Sequence, residues 1–375
     1  MSWAVVPLKN ICEITMGQAP SGDTYNENGN GYPLIAGAGD LGKKYPIPKK
    51  FTTSASKKSK TGDIVLCIRA TIGDLNWSDK EYCLGRGVVG LRVSKNLDSK
   101  YLWYFLEKNK LYLNSLGTGS TFKQIGRTAI SDLKIPLPPL EEQKRIAAIL
   151  DKADVIRQKR QQAIELADEF LRSVFLDMFG PEVDKDNWPL VTFTDVTTID
   201  AAMVDPRDDL YLDMLHIGPD RIEKNTGKLL PALTARDERL ISKKFLFNEE
   251  YVLYSKIRPY LRKVALPNFT GLCSADMYPV KPTKNVMTRE YLWQLLLSDA
   301  FTQYTETLPN RANIPKLNRA ELASYEFKLP PMQLQNKLTD IYKKYSKSLL
   351  QLNKAQIKSE SVFSSLNQKA FSGQL

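Results

Sequence analysis

The side chains that most often carry covalent or metal chemistry are scarce in this 375-residue sequence and badly spaced for it. His216 is the one histidine, and Cys12, Cys67, Cys83 and Cys273 contain no CxxC pair. Neither a zinc site nor a base-activated nucleophile can be assembled from such motifs. Gly37-Ala38-Gly39-Asp40-Leu41-Gly42 has the letters GxGxxG, but Pro46 and Pro48 interrupt the helix that a dinucleotide site needs, so it reads as a Gly-rich loop. The double prolines, Pro138-Pro139 and Pro330-Pro331, each follow Leu and lack the Asn/Asp-Pro-Pro-aromatic pattern of an amine-methylating loop. They read as helix starts, with Glu141 and Glu142 at the positive end of the helix dipole. No catalytic residue, metal or cofactor is therefore expected on this chain.

Positive charge is abundant instead. The formal net charge is +11 and the isoelectric point about 9.2, a balance suited to a polyanionic partner such as nucleic acid. Lys43, Lys44, Lys49, Lys50, Lys57, Lys58 and Lys60 fall in one stretch without an acidic residue, with Tyr45 and Phe51 interleaved. A solvated loop has a similar composition, but the basic background favours phosphate tracking. Two further stretches, GTGSTFKQIGR at 117–127 and LPNRANIPKLNR at 308–319, align at an offset of 192. The first offers Ser120, Thr121, Lys123 and Arg127 to DNA, and the second Arg311, Asn313, Lys316 and Arg319. A third pair consists of Arg69 in CIRATIGD and the stretch SKIRPYLRK, whose Lys256, Arg258, Arg262 and Lys263 have no acid between them. Arginine suits bidentate recognition of guanine in the major groove.

These stretches recur because the chain is two copies of one module. Trp3, Val6, Leu8 and Ile11 match Trp188, Val191, Phe193 and Val196 at an offset of 185; Val65-Leu66 matches Val252-Leu253 at 187; Tyr101-Leu102-Trp103 matches Tyr291-Leu292-Trp293 at 190. Leu137-Pro138-Pro139 and Phe179 match Leu329-Pro330-Pro331 and Phe371 at 192. Small insertions in surface loops account for the growing offset.

Each copy ends in about forty residues without an internal Gly or Pro, which predicts a helix roughly 60 Å long at about 1.5 Å per residue. In the first, Ile146, Ala153, Arg160, Ala167 and Val174 form one heptad row, and Ile149, Ile156, Ala163 and Phe170 form a second row three positions later. In the second, the rows are Leu338, Tyr345, Leu352, Ser359 and Leu366, and Ile341, Ser348, Ala355 and Val362. Adding 192 to the first set gives the second, so the two stripes are expected to pair with each other, although Arg160, Ser348 and Ser359 interrupt them. A stripe of this kind can also lie on its own domain.

The remaining composition, 42% hydrophobic and 25% charged, is that of a globular protein. No apolar run approaches the roughly 18 residues that span a bilayer, and residues 1–10 lack the pattern of a secretory leader, so a cytoplasmic location without membrane contact is expected.

Taken together, the opening strands at Trp3 and Trp188, GSTFKQI before ISDLKIPLPPLEEQKRIAAIL, FLDMFG and the closing KAFSGQL resemble the specificity subunits of type I restriction-modification systems over nearly the whole chain. The resemblance implies an α+β architecture with a pseudo-twofold internal repeat. Two mixed α/β target recognition domains, 1–139 and 181–331, would alternate with two spacer helices, 140–180 and 332–375, paired as an antiparallel coiled coil. It implies a non-catalytic chain that reads a bipartite double-stranded DNA target. The partners would be two methylation subunits, which use S-adenosylmethionine on adenine, and two restriction subunits, which use ATP and magnesium. The second copy departs from the motif: Gln335 matches Gln143, but Glu141 and Glu142 have no counterpart. A stand-alone DNA-binding regulator or architectural protein that dimerises through its helices is the alternative of a different class.

Overall fold

In the computed structural model, residues 3–119, 123–309 and 314–375 are described. The chain divides into two compact units, Met1–Gln161 with Lys354–Leu375, and Gln162–Asn353. The division does not fall at the helix starts: the two long helices, Leu140–Phe179 and Met332–Ser372, are each shared between the units. The reason is packing. The start of the first helix (Ile146, Leu150) and the end of the second (Phe363, Phe371) belong to the core of the first unit, whereas Leu171, Phe175 and Leu338 belong to that of the second.

Within the first unit, Cys12–Met16, Val88–Val93, Ile64–Cys67 and Leu75–Trp77 form an antiparallel sheet in that order. The second unit has the same sheet in Thr197–Thr198, Met277–Pro282, Val252–Ser255 and Val264–Ala265. A two-stranded ladder closes each module, Val5–Pro7 against Lys134–Pro136 and Leu190–Thr192 against Glu326–Lys328. The other four-stranded sheet differs between the copies. In the first, Lys50–Thr52 pairs with Tyr32–Ile35, leaving Cys83–Leu84 outermost; in the second, Lys244–Phe247 pairs with Gly271–Cys273, leaving His216–Ile217 outermost.

The ladders correct one sequence alignment. Cys67 pairs with Val88 and Ser255 with Met277, so the central strands match as Ile64 to Val252, an offset of 188 and not 187. Side chains alternate between sheet faces, so a slip of one residue would exchange them. Accordingly Ile64 and Val252 lie in the large cores, while Val65 and Leu253 face the small ones.

Helix pairing is antiparallel. In the first unit Arg145 reaches the Leu375 carbonyl at 2.7 Å, the Arg157 guanidinium covers the Phe363 ring at 4.7 Å, and Arg160 donates to the Ala355 carbonyl at 2.7 Å. Residue numbers fall on one helix as they rise on the other. In the second unit the Tyr345 hydroxyl donates to Asp168 at 2.5 Å. The predicted rows through Ile146 and Leu338 face inward: Ile146, Leu338 and Ser359 are buried, and Ala153, Arg160, Ala167, Val174, Tyr345, Leu352 and Leu366 half-buried.

The second predicted row is displaced by one residue in both helices. Ile156, Phe170 and Val362 are 49%, 56% and 47% exposed, and Ile149, Ala163, Ile341 and Ala355 are only half-buried at the flank. The inward positions are Leu150, Arg157, Ile164, Leu171 and Met178, matched by Tyr342, Leu349, Gln356, Phe363 and Ala370 at the offset of 192. A heptad steps by three and then four, and the sequence carried apolar residues on both sides of the true seam. The helices rotate to bury Leu150, Ile164, Leu171 and Phe363, and of these Leu150, Leu171 and Phe363 join the cores of the globular modules.

Candidate nucleic-acid interface

The two stretches singled out separately in each module are joined in space. In the first, the Ile125 amide donates to the Ile68 carbonyl at 3.0 Å and Arg69 forms a bridge with Gln124. In the second, the Leu317 amide donates to the Lys256 carbonyl at 2.8 Å and Ile257 bridges Lys316. Ile68 and Lys256 stand at the offset of 188, Ile125 and Leu317 at 192, so the loop pair is one device built twice. The strands Ile64–Cys67 and Val252–Ser255, buried along their whole length, hold the first loop of each pair. Thr118 and Gln124 exchange backbone hydrogen bonds at 3.0 and 2.9 Å in the second loop stretch.

In the first module this places Arg69, half-buried, beside the exposed Lys123 and Arg127. Among the described residues none of the three has a side-chain hydrogen bond or ion pair, a state in which a cation can take a phosphate or base edge. In the second module the loops wall a cavity of about 430 Å³ lined by Pro259, Tyr260, Leu308, Pro315, Lys316 and Asn318. Arg258 is exposed at its margin. Ser120, Thr121, Arg311 and Asn313 lie outside the described residues.

Several expected DNA contacts are occupied inside the protein. Lys263 donates to the Pro219 carbonyl at 2.6 Å, Arg262 pairs with Asp299 at 2.5 Å, and Arg319 donates to the Ile199 carbonyl at 2.6 Å. Lys256 donates to the Ala275 carbonyl at 2.5 Å; burial first, then the nearby Lys316 charge, lowers its ammonium pKa. Lys316 stands 3.7 Å from Asp276 with half its side chain exposed. A run of cations in a sequence does not reveal which of them the fold uses as anchors.

The lysine-rich stretch divides in the same way. Lys58 is half-buried, with its ammonium 4.3 Å from the Tyr32 ring centre, 3.0 Å from the Tyr32 hydroxyl and 3.7 Å from Glu81. The hydrogen bond to Tyr32 is the main reason its pKa is raised. Lys43, Lys44, Lys57 and Lys60 are exposed, and the only side-chain contact of the four among the described residues is that of Lys44 with the Tyr45 ring, at 5.1 Å. The Gly37–Gly42 stretch contains a short 3-10 turn, Ala38–Asp40, and no long helix follows it.

Burial pushes the Cys12 and Cys83 thiols up to about 12 and about 11, which leaves both as neutral packing groups. No cluster of three potential metal ligands occurs among the described residues, and no described helix is long and apolar enough to cross a membrane.

Sequence reasoning missed two features. The first is the left-handed backbone of Ala70 and Arg258, at φ 62° and 50°, which stand at equivalent places. The second is the buried Gln143 and Gln335, which fasten each helix start to its globular module. The 192 offset between the glutamines was a signal for the second; nothing local signals the first.

Comparison with known proteins agrees with this reading of the fold. The profile of the type I restriction modification DNA specificity domain matches residues 1–166 and 223–360. A putative specificity subunit, MjaX of Methanocaldococcus jannaschii, is 37% identical over 180 residues, which is 46% of this chain and 42% of that relative. The chain thus spans less than half the length of that relative. The EcoDI specificity subunit of Escherichia coli is 24% identical over all of this chain and 89% of its own length. A crystal structure of the S subunit from M. genitalium superposes with a TM-score of 0.61 at 16% identity, covering 99% of this chain and 96% of that one. The profile match reaches into both modules and both helices, and the repeated loop pairs lie within it: this chain belongs to the type I restriction-modification DNA specificity family, whose named members are specificity subunits.

Proposed function

We propose that this chain reads a two-part double-stranded DNA target in the cytoplasm and directs adenine methylation and restriction carried out by partner subunits. One observation supports this most directly: an equivalent loop pair, with exposed cations, is built at the same place in both modules. Duplicated loops in modules whose second sheets differ suit two half-sites of different sequence. Two methylation subunits and two restriction subunits are the partners this reading entails, with S-adenosylmethionine, ATP and magnesium bound on them.

The test is methyl transfer from labelled S-adenosylmethionine to DNA. The purified chain alone is expected to transfer none, and addition of the methylation subunit from the same source to produce transfer at a single two-part sequence. Robust transfer by the chain alone, or no gain on adding the partner, would refute the proposal.

Phosphate neutralisation by the exposed lysines carries its own expectation. Changing Lys57 and Lys60 to Ala should weaken binding to all duplexes alike and reduce the slope of log affinity against log salt by roughly 2, about 0.9 for each phosphate that is no longer neutralised. Lys58→Ala should act mainly on thermal stability, because its ammonium is committed to Tyr32 and Glu81. Titrations at several salt concentrations decide it, and an unchanged slope removes these lysines from the interface.

A further inference from the structure

Arg258 sits in the left-handed backbone region, which glycine adopts freely and other residues seldom do. Hydrogen bonds on both sides impose it. The Arg258 amide donates to the Pro315 carbonyl at 2.8 Å, the Leu261 amide to the Arg258 carbonyl at 2.9 Å, and the neighbouring Lys256 carbonyl receives the Leu317 amide. The turn that follows, Pro259–Leu261, ends in a second left-handed arginine, Arg262, at φ 48°. These two arginines have different fates. Arg262 is held by Asp299, whereas the Arg258 side chain is exposed and, among the described residues, without a partner.

Strained backbone of this kind persists where the surroundings over-determine it, and it collects where the direction of a side chain matters. A phosphate can be met by a flexible lysine stem. Reading the two acceptors of a guanine edge requires the guanidinium fork to arrive in plane, and hence a fixed backbone beneath it. The first module has the same strained position, occupied by Ala70 with φ 62°, and no long side chain to present from it. The loops also differ by one residue: the flanking strands match at 188 before the loop (Ile64, Val252) and at 189 after it (Leu75, Val264).

Resting on the specificity reading above, we propose that Arg258 is the guanine-reading side chain of the second module, and that the first module makes no such contact from the equivalent backbone position. The consequence is one guanine, in the half of the target read by the second module, whose selection depends on Arg258.

The experiment selects bound sequences from randomised duplexes, using the full chain assembled with its methylation subunits, for the natural protein, Arg258→Gly and Arg258→Lys. Glycine suits the backbone conformation, so Arg258→Gly should fold and melt no lower than the natural chain. Both variants are expected to lose guanine preference by about 5- to 150-fold at a single position of one half-site, the range of a good bidentate pair, while the other half-site is unchanged. Arg258→Lys should keep the salt dependence of binding, since it keeps the charge. Unchanged preference in both variants overturns the assignment. So does a uniform loss across all sequences in Arg258→Gly with a shallower salt slope, the signature of a phosphate contact. Selection of no sequence by the natural complex would overturn the specificity reading on which the assignment rests.

Discussion

Replacing Gln143 by Leu is expected to destabilise the first module by about 3 kcal/mol, because one buried and two partly buried backbone groups lose the partner that Gln143 supplies, at a cost of about 1–3 kcal/mol for a group cut off from water and less for one that water can reach. Gln143 is fully buried. Its Oε1 accepts the Asp98 amide at 2.8 Å, and its Nε2 donates to the carbonyls of Asn96 at 3.0 Å and Pro138 at 2.8 Å. The amide therefore ties the first turn of the long helix to the N-terminus of the helix Ser99–Lys108. Gln335 repeats the device, accepting from the Thr288 amide at 2.9 Å and donating to Val286 at 3.1 Å and Pro330 at 2.8 Å. Gln335→Leu should cost the second module a similar amount.

Leucine nearly conserves volume, so the loss reports the hydrogen bonds and not a cavity. Gln143→Glu sharpens the test. An ionised carboxylate cannot donate to two carbonyls, so the folded state favours the protonated acid and raises its pKa above the unfolded value. A raised pKa stabilises below the unfolded pKa, about 4.3, and the stabilisation is lost as pH rises through the folded value. The Glu variant should thus approach the natural chain at acidic pH and fall furthest behind it at neutral pH. Denaturant unfolding with hydrogen exchange measures both effects. A loss below about 1 kcal/mol for Gln143→Leu, or no pH dependence in the difference for Gln143→Glu, would show that water reaches the bracket and satisfies it.

Removing one heptad from each long helix, residues 156–162 and 351–357, should shorten the unread spacer of the DNA target by roughly three base pairs, since seven residues at about 1.5 Å each span about 10 Å and base pairs rise by about 3.4 Å. Seven residues preserve the phase of both rows. After the first deletion Ile164 takes the place of Arg157 in the inward row, and the second deletion leaves Ser359 and Phe363 in their rows. The half-site sequences should not change, because the loop pairs at Arg69 and Arg258 are untouched. If the helices set the spacing, methylation mapping of the reconstituted complex will show the same half-sites drawn closer. The same spacing as before, or an uninterrupted target for the natural chain, would count decisively against a ruler.

The sequence by itself determined the repeat, the two long helices and the absence of recognisable catalytic motifs. These rest on periodicity and on residue type, which are local properties: a heptad row every seven residues, double prolines at both helix starts, a single histidine. It also placed cations on the loops that the fold brings together, since the loops stand at the same offsets in both copies. Tertiary structure decided three other matters. It chose which of two adjacent apolar rows faces inward, because Leu150 and Leu171 join the core of a globular module from a helix that also pairs with its partner, while Ile156 and Phe170 stay exposed. It set the strand register at 188, because only pairing with Val88–Val93 and Met277–Pro282 defines which face each side chain takes. And it separated anchoring cations from free ones, because Arg262 meets Asp299 and Lys58 meets Tyr32 across distances in sequence that no local pattern encodes, whereas Arg258, four residues from the anchored turn end, is left exposed by a backbone conformation imposed from Pro315.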